Sequence, residues 1–120
     1  MINIIGSGLA GLSAAITLAK KGTASNLVSV QEAQRAQSVM AEGGINAALN
    51  VMGENDNFMN HYEDTMKGGA YLADPNSVYG LCNNAPDIVN WLIELGVPFE
   101  MKNGKMIQRN FGGQKKKRTA

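Results

Sequence analysis

Residues 2–11 read Ile-Asn-Ile-Ile-Gly-Ser-Gly-Leu-Ala-Gly, and no other stretch of the chain restricts its fold as strongly. A short β-branched run enters the glycines Gly6, Gly8 and Gly11. Apolar residues at helical spacing start at once, with Leu9, Leu12, Ala15, Ile16 and Ala19. Strand, tight turn and helix in that order bring a helix N-terminus to the end of a strand, where free amides and the positive end of the helix dipole attract phosphate. Each glycine has its own reason. Gly6 permits the turn, Gly8 leaves room for a pyrophosphate where a Cβ would block it, and Gly11 lets the helix lie on the strand. Ser7, Leu9 and Ala10 complete the candidate phosphate loop. A bare Gly-x-Gly-x-x-Gly can also be a packing turn; its place between a strand and a helix is what favours a nucleotide.

The rest of the composition narrows the class. With 120 residues the chain can bury a real core, and its mixture of helix formers, glycine and β-branched residues suits an α/β fold. The net charge of +1 points to no acidic partner, and the single Cys82 excludes an internal disulfide. No apolar run approaches the ~20 residues that span a bilayer. Met1 leads straight into the first strand without a leader pattern, so a cytoplasmic protein is expected. A doubly wound sheet uses about five or six strands, whereas two clear and two short ones can be found here. The sequence therefore reads as the front of a larger protein.

The first helix is expected to run to Lys21 and to be closed by Gly22, with a second strand at 27–30. About 20 residues beyond the glycines, dinucleotide folds place a group that holds the ribose. Ser29 falls there, with Gln31 and Glu32 just beyond, and the choice between Ser29 and Glu32 stays open. Residues 34–40 are polar without a period and read as a loop. Next come Ala41, Glu42, Gly43 and Gly44, where paired glycines offer a second close approach of backbone to a flat ligand. The plainer alternative is a glycine loop before a short helix.

Phe58, Tyr62, Thr65 and Met66 mark a helix ending at Gly68 and Gly69. Asp74 and Pro75 have the form of an N-cap followed by proline at the first helical position. Val78, Leu81 and Cys82 are expected to face inward, and Pro86 to open another helix that carries Ile88, Val89, Leu92, Ile93 and Leu95 and closes at Gly96. Trp91 reads as core. Short strands at 97–99 and 106–107 are expected around a turn at Asn103 and Gly104. His61 has no partners at metal-ligand spacing and reads as structural, bonded near Asp64. Cys82 reads as an inert core thiol, and the basic residues 115–117 as solvated, with no aromatic interleaving to suggest nucleic acid.

Two glycine motifs in one chain resemble the succinate dehydrogenase and fumarate reductase flavoprotein subunits. Residues 41–44 resemble that family's Ala-Gln/Glu-Gly-Gly segment. His61, Asp64 and Thr65 followed by Lys67 and Gly68, then Trp91, residues 96–99 and Gly104, match its following stretches in order. Arg109, Phe111, Gly112 and Gly113, then Arg118 and Thr119, match its Arg-x-Phe-Gly-Gly and Arg-Thr signature. The resemblance covers nearly the whole chain. It implies the N-terminal part of a Rossmann-like FAD-binding domain at residues 1–120, without the capping and C-terminal domains. It further implies hydride transfer between FAD and a four-carbon dicarboxylate, fumarate or succinate, with an iron–sulfur subunit as partner. The protein would then sit peripherally on the inner face of the cytoplasmic membrane through its partners, with no direct insertion.

By the same resemblance, Gly6, Gly8 and Gly11 hold the pyrophosphate and Ser29 lies near the adenosine ribose. Ser38, Ala41, Glu42, Gly43 and Gly44 line the isoalloxazine ring, and Arg118 packs near flavin or substrate. Many members carry a histidine bonded covalently to the flavin within Arg-Ser-His-Thr. Here the frame reads Arg35, Ala36, Gln37, Ser38, and a glutamine amide cannot make that bond. Non-covalent FAD follows, with fumarate reduction favoured, and an L-aspartate oxidase-like enzyme stays an alternative. The family's catalytic residues lie beyond these motifs, so none is named. Two other readings remain. An NAD(P)-binding Rossmann domain would give Gly43 and Gly44 no role and want an acid at the end of the second strand, and a truncated non-catalytic module would fold without cofactor.

Overall fold

A computed structural model describes residues 1–120. They form two compact units, Met1–Glu42 and Gly43–Ala120. No helix is long and apolar enough to cross a membrane.

The first unit is a β-α-β element. Strand β1 (Ile2–Ile5) pairs in parallel with β2 (Ser25–Val28), joined through helix α1 (Leu9–Lys20). The register runs from Ile2 opposite Ser25 to Ile5 opposite Val28. Strand β2 lies two residues earlier than its apolar run suggests. Polar Asn26 enters the ladder because its side-chain amide donates to Asn3 Oδ1 at 3.1 Å. The pairing ends with the Gly6 N–H on Val28 O at 2.8 Å, so Val30 falls outside it and is fully exposed. Helix α1 closes on Gly22 in the left-handed region, φ +70°, with the Gly22 N–H on Ala19 O and the Thr23 N–H on Leu18 O, each 2.9 Å. That pair is the Schellman closure expected of glycine one residue past the cap. Residues 34–40 are not the loop their polarity suggests. A 3₁₀ turn (Ala33–Arg35) leads into a single-turn helix α2 (Gln37–Met40), with Ala36 buried between them. One turn is too short to leave an apolar period in the sequence.

The second unit is built on two helices, α3 (Phe58–Gly68) and α4 (Pro75–Glu94). Asn57 caps α3 by accepting from the Asn60 N–H, and Asp74 caps α4 by accepting from the Ser77 N–H at 2.8 Å. Pro86 does not start a new helix but lies inside α4. A proline there removes the amide that would bond to Cys82 O and costs about 3 kcal/mol. The helix continues because Val78, Cys82, Ala85 and Val89, on one stripe, are all buried on either side of it. Leu81 falls off that stripe and is 61% exposed, contrary to the inward position its neighbours suggest. Val89 and Ala85 pack with Ala47 and Met106, and Cys82 and Val78 pack with Met66. Ile88, Ile93 and Leu95 are exposed, and Trp91 is half-buried.

A hairpin of β3 (Met101–Lys102) and β4 (Lys105–Met106) turns on Asn103 and Gly104, both at positive φ as a type I′ turn requires. Its first strand lies after 97–99, because Gly96 and Val97 are consumed in closing α4 on Ile93 O and Leu92 O. The end of the chain is an internal strand. Ala120 exchanges both backbone bonds with Ile45, the Ala47 N–H donates to Arg118 O, and Thr119 exchanges both with Arg109. Residues 45–47 are therefore tied to 118–120 by backbone bonds, and no helix follows Gly44.

Candidate functional site

Each glycine of the phosphate loop has a distinct physical cause. Gly6 has φ +107°, a conformation that only glycine adopts readily. A Cβ on Gly11 would run into Gly6 O, with Gly6 C at 3.0 Å and Ile4 Cγ2 at 3.5 Å. It is glycine so that α1 can meet β1. Gly8 is different. Its φ of −77° suits any residue, and a Cβ there would meet only Ser38 Oγ, at 3.2 Å. A Cβ at 8 would therefore press on the hydroxyl that receives the Leu9 N–H.

The loop amides are free for a ligand. The Gly6 N–H is spent on Val28 O and the Leu9 N–H on Ser38 Oγ at 3.0 Å, while those of Ser7, Gly8, Ala10 and Gly11 find no acceptor in the chain. No acidic side chain stands in the first turn of α1 to compete for its dipole. These unspent amides and the bare Cα of Gly8 fit a pyrophosphate. Ser29 lies directly past β2, and its Oγ receives the Ser7 hydroxyl at 2.9 Å. Glu32 begins the 3₁₀ turn further on, with no hydrogen bond to the loop. Ser38 stands over the start of α1. Gln37 beside it is exposed, as are Ala41 and Glu42.

The paired glycines of the second motif also separate. Gly44 has φ +87°, and a Cβ would lie 2.5 Å from Ala120 O and 2.8 Å from Thr119 Cγ2, so the closing strand demands glycine. Gly43 meets nothing closer than Phe111 Cζ at 4.0 Å. It is glycine without an internal need.

The second unit holds a buried charge cluster. Arg118 is fully buried, unlike Lys115 and Lys117 beside it. Its Nε and Nη2 donate to the two carboxylate oxygens of Asp56 at 3.1 and 2.9 Å, and Nη2 also lies 3.1 Å from Asp64 Oδ2. Lys115 pairs with Asp64 and Lys117 with Glu54, so acids meet three of the four basic residues. The Lys117 N–H, donating at 2.9 Å, holds the Glu54 carboxyl below its usual range, and the Ser77 bonds do the same for Asp74. His61 is buried nearby. It is not bonded to Asp64, and its Nδ1 has no partner, because both oxygens of Asp64 serve cations and the Lys115 amide. Burial, reinforced by the Arg118 charge, pushes the imidazole below its ordinary value of 6.5. Burial likewise pushes the Cys82 thiol up, against a weak contact with Thr65 Oγ1, which fits an inert thiol. A cavity of about 630 Å³ in this unit is lined by His61, Asp64, Lys67, Phe111, Lys115 and Arg118, among others. No cluster of three or more metal-ligating side chains exists.

Sequence reasoning missed Asp56 and Gln108. Gln108 is buried, and its amide donates to Ala47 O and Arg118 O at 2.8 Å each, tying the closing strand to the 45–47 segment. A single polar residue in a loop gives no warning of that role.

A β-α-β element with an open glycine loop defines a nucleotide-binding class of fold. The sequence profile of the FAD binding domain family matches residues 2–120, and the chain belongs to that family. It is 42% identical over 120 residues to the succinate dehydrogenase flavoprotein subunit of Bacillus subtilis, covering 99% of this chain and 20% of the relative. Among solved structures, the Mycobacterium smegmatis Sdh1 complex in its apo form superposes with TM-score 0.92 at 36% identity, over 99% of this chain and 20% of that one. An E. coli quinol fumarate reductase superposes with TM-score 0.90 at 33% identity, over 98% and 20%. The chain thus spans about a fifth of the length of the relatives it matches. The partial Rossmann-like fold and the FAD cofactor expected from the motifs agree with these matches.

Proposed function

We propose that this chain is the N-terminal, FAD-binding part of an oxidoreductase resembling succinate dehydrogenase and fumarate reductase. The observation that carries the reading is the β-α-β glycine turn whose Ser7, Gly8, Ala10 and Gly11 amides find no acceptor in the chain. In this reading the amides of Ser7, Gly8, Ala10 and Gly11 bind the pyrophosphate, Leu9 braces the loop through Ser38, and Gly6 and Gly11 hold its shape. Ser29 meets the adenosine ribose. Ala41, Glu42, Gly43 and Gly44 give backbone approach to the isoalloxazine ring, and Ser38 stands between ring and phosphates along the sequence. When bound, FAD supplies hydride chemistry; this chain binds and orients it.

The FAD is held without a covalent link, since Gln37 occupies the frame where a linked histidine would stand. The substrate class of the whole enzyme is a four-carbon dicarboxylate, with fumarate reduction favoured. Its partner is an iron–sulfur subunit, and its place is peripheral, on the inner face of the cytoplasmic membrane. The relatives' description as flavoprotein subunits supports work within a complex. The test is fumarate-dependent oxidation of a reduced viologen dye, by residues 1–120 with FAD and by a longer protein that begins with them. FAD binding by both and turnover only by the longer one is the expected result. Turnover by the 120-residue chain would require a catalytic acid within it and would overturn the reading.

A further inference from the structure

The hydroxyl of Ser7 has no part in the phosphate loop as such, because the loop binds through backbone amides. Yet Ser7 is buried, 5% exposed, and its hydroxyl crosses from the glycine turn to the end of the neighbouring strand. There it donates to Ser29 Oγ at 2.9 Å. Ser29 Oγ also faces the Gln31 N–H at the long distance of 3.5 Å. A serine hydroxyl carries one donor and two acceptor lone pairs. The buried Ser7 hydroxyl has no other acceptor, so its proton goes to Ser29 Oγ, and the proton of Ser29 is the group left over. Ser29 itself is exposed, so that proton faces whatever binds at the end of β2.

We propose that Ser7 is a positioning residue for nucleotide recognition: its hydrogen bond fixes Ser29 as a donor toward a ribose oxygen of the adenosine half. The inference rests on the nucleotide reading of the loop and deepens it. A carboxylate at this place accepts from a ribose hydroxyl. A serine pair instead donates to it, so the ribose is read as an acceptor. The Ser7 side chain never touches the ligand; only its backbone amide faces the phosphates. Its effect passes through the orientation of one hydroxyl, and therefore appears only with ligands that have a ribose oxygen to meet.

That dependence makes the test selective. Binding of ADP and of 2′,3′-dideoxy-ADP to the 120-residue chain is followed by amide chemical-shift titration, which reads dissociation constants into the millimolar range. The wild type is expected to prefer ADP by about fivefold to tenfold, the value of one net neutral hydrogen bond. Ser29→Ala should abolish the preference. Ser7→Ala should remove most of it by weakening ADP several-fold more than the dideoxy nucleotide, because the substitution deletes the hydroxyl and keeps the residue's amide. A Ser7→Ala chain that keeps the wild-type preference overturns the positioning role, and equal weakening toward both nucleotides overturns it in favour of a structural one. A wild-type chain that binds neither nucleotide overturns the nucleotide reading itself, and this proposal with it.

Discussion

Replacing Gly11 by alanine should damage the first unit although alanine is the better helix former. The added Cβ would fall well inside van der Waals contact with Gly6 O, and both Gly6 O and Gly6 C belong to the backbone and cannot rotate away. Relief requires the turn to open, which strains the Gly6 N–H bond to Val28 O at 2.8 Å that ends the β1–β2 pairing. Overpacking of this kind costs about 1–3 kcal/mol. Alanine returns at most about 1 kcal/mol through helix propensity, less in a first turn. A net loss of about 1–2 kcal/mol is expected, confined to residues 1–42. Gly8→Ala is the control: its Cβ meets only Ser38 Oγ at 3.2 Å, and stability should change by less than about 1 kcal/mol. Native-state hydrogen exchange at the Ile4 and Gly6 amides, which share the edge facing β2, reads the first unit separately from the second. Equal protection in wild type and Gly11→Ala would refute the reasoning that α1 rests directly on the turn.

Arg118→Met should destabilise the second unit by about 3–5 kcal/mol, since Asp56 and Asp64 would remain buried without their shared cation; urea denaturation measures it, and a loss under 1 kcal/mol would contradict the buried triad. His61 is held below its ordinary 6.5, so the unfolded chain binds its proton first and stability falls as pH drops from about 6.5 toward the folded value. His61→Gln should flatten that slope between pH 6.5 and 5, above the range where the lowered Glu54 and Asp74 add their own loss, and an unchanged slope would assign it elsewhere. With Gln37 in the covalent frame, acid precipitation of the FAD-loaded protein should leave flavin in the supernatant, and flavin that stays in the pellet would show a link the frame does not allow for.

The parts of the fold that carry strong local chemistry were legible in the sequence. Strand β1, the cap of α4 at Asp74, the Schellman glycines Gly22 and Gly96 and the Asn103–Gly104 turn all follow from residue types whose preferences act within a few positions. Helix α4 was cut in two because Pro86 is a reliable breaker only where tertiary burial does not hold both sides. The closing strand was invisible for another reason. Arg118 and Thr119 look like a polar end, and only Asp56, Asp64 and the 45–47 segment, more than fifty residues away, make them core. In the glycine loop the turn at Gly6 and the close approach at Gly11 match the sequence reading. The partner of Ser7 does not appear in it, because a bond across 22 residues leaves no periodic trace.

Flavin binding tests the central claim most directly. The chain, titrated with FAD under equilibrium dialysis, should retain it with a flavin absorbance band between about 350 and 500 nm, the usual window of an FAD cofactor. Gly8→Val, which puts a branched side chain among the free loop amides, should abolish retention while the fold of the first unit persists by hydrogen exchange. Retention of FAD by Gly8→Val at wild-type affinity would contradict the account.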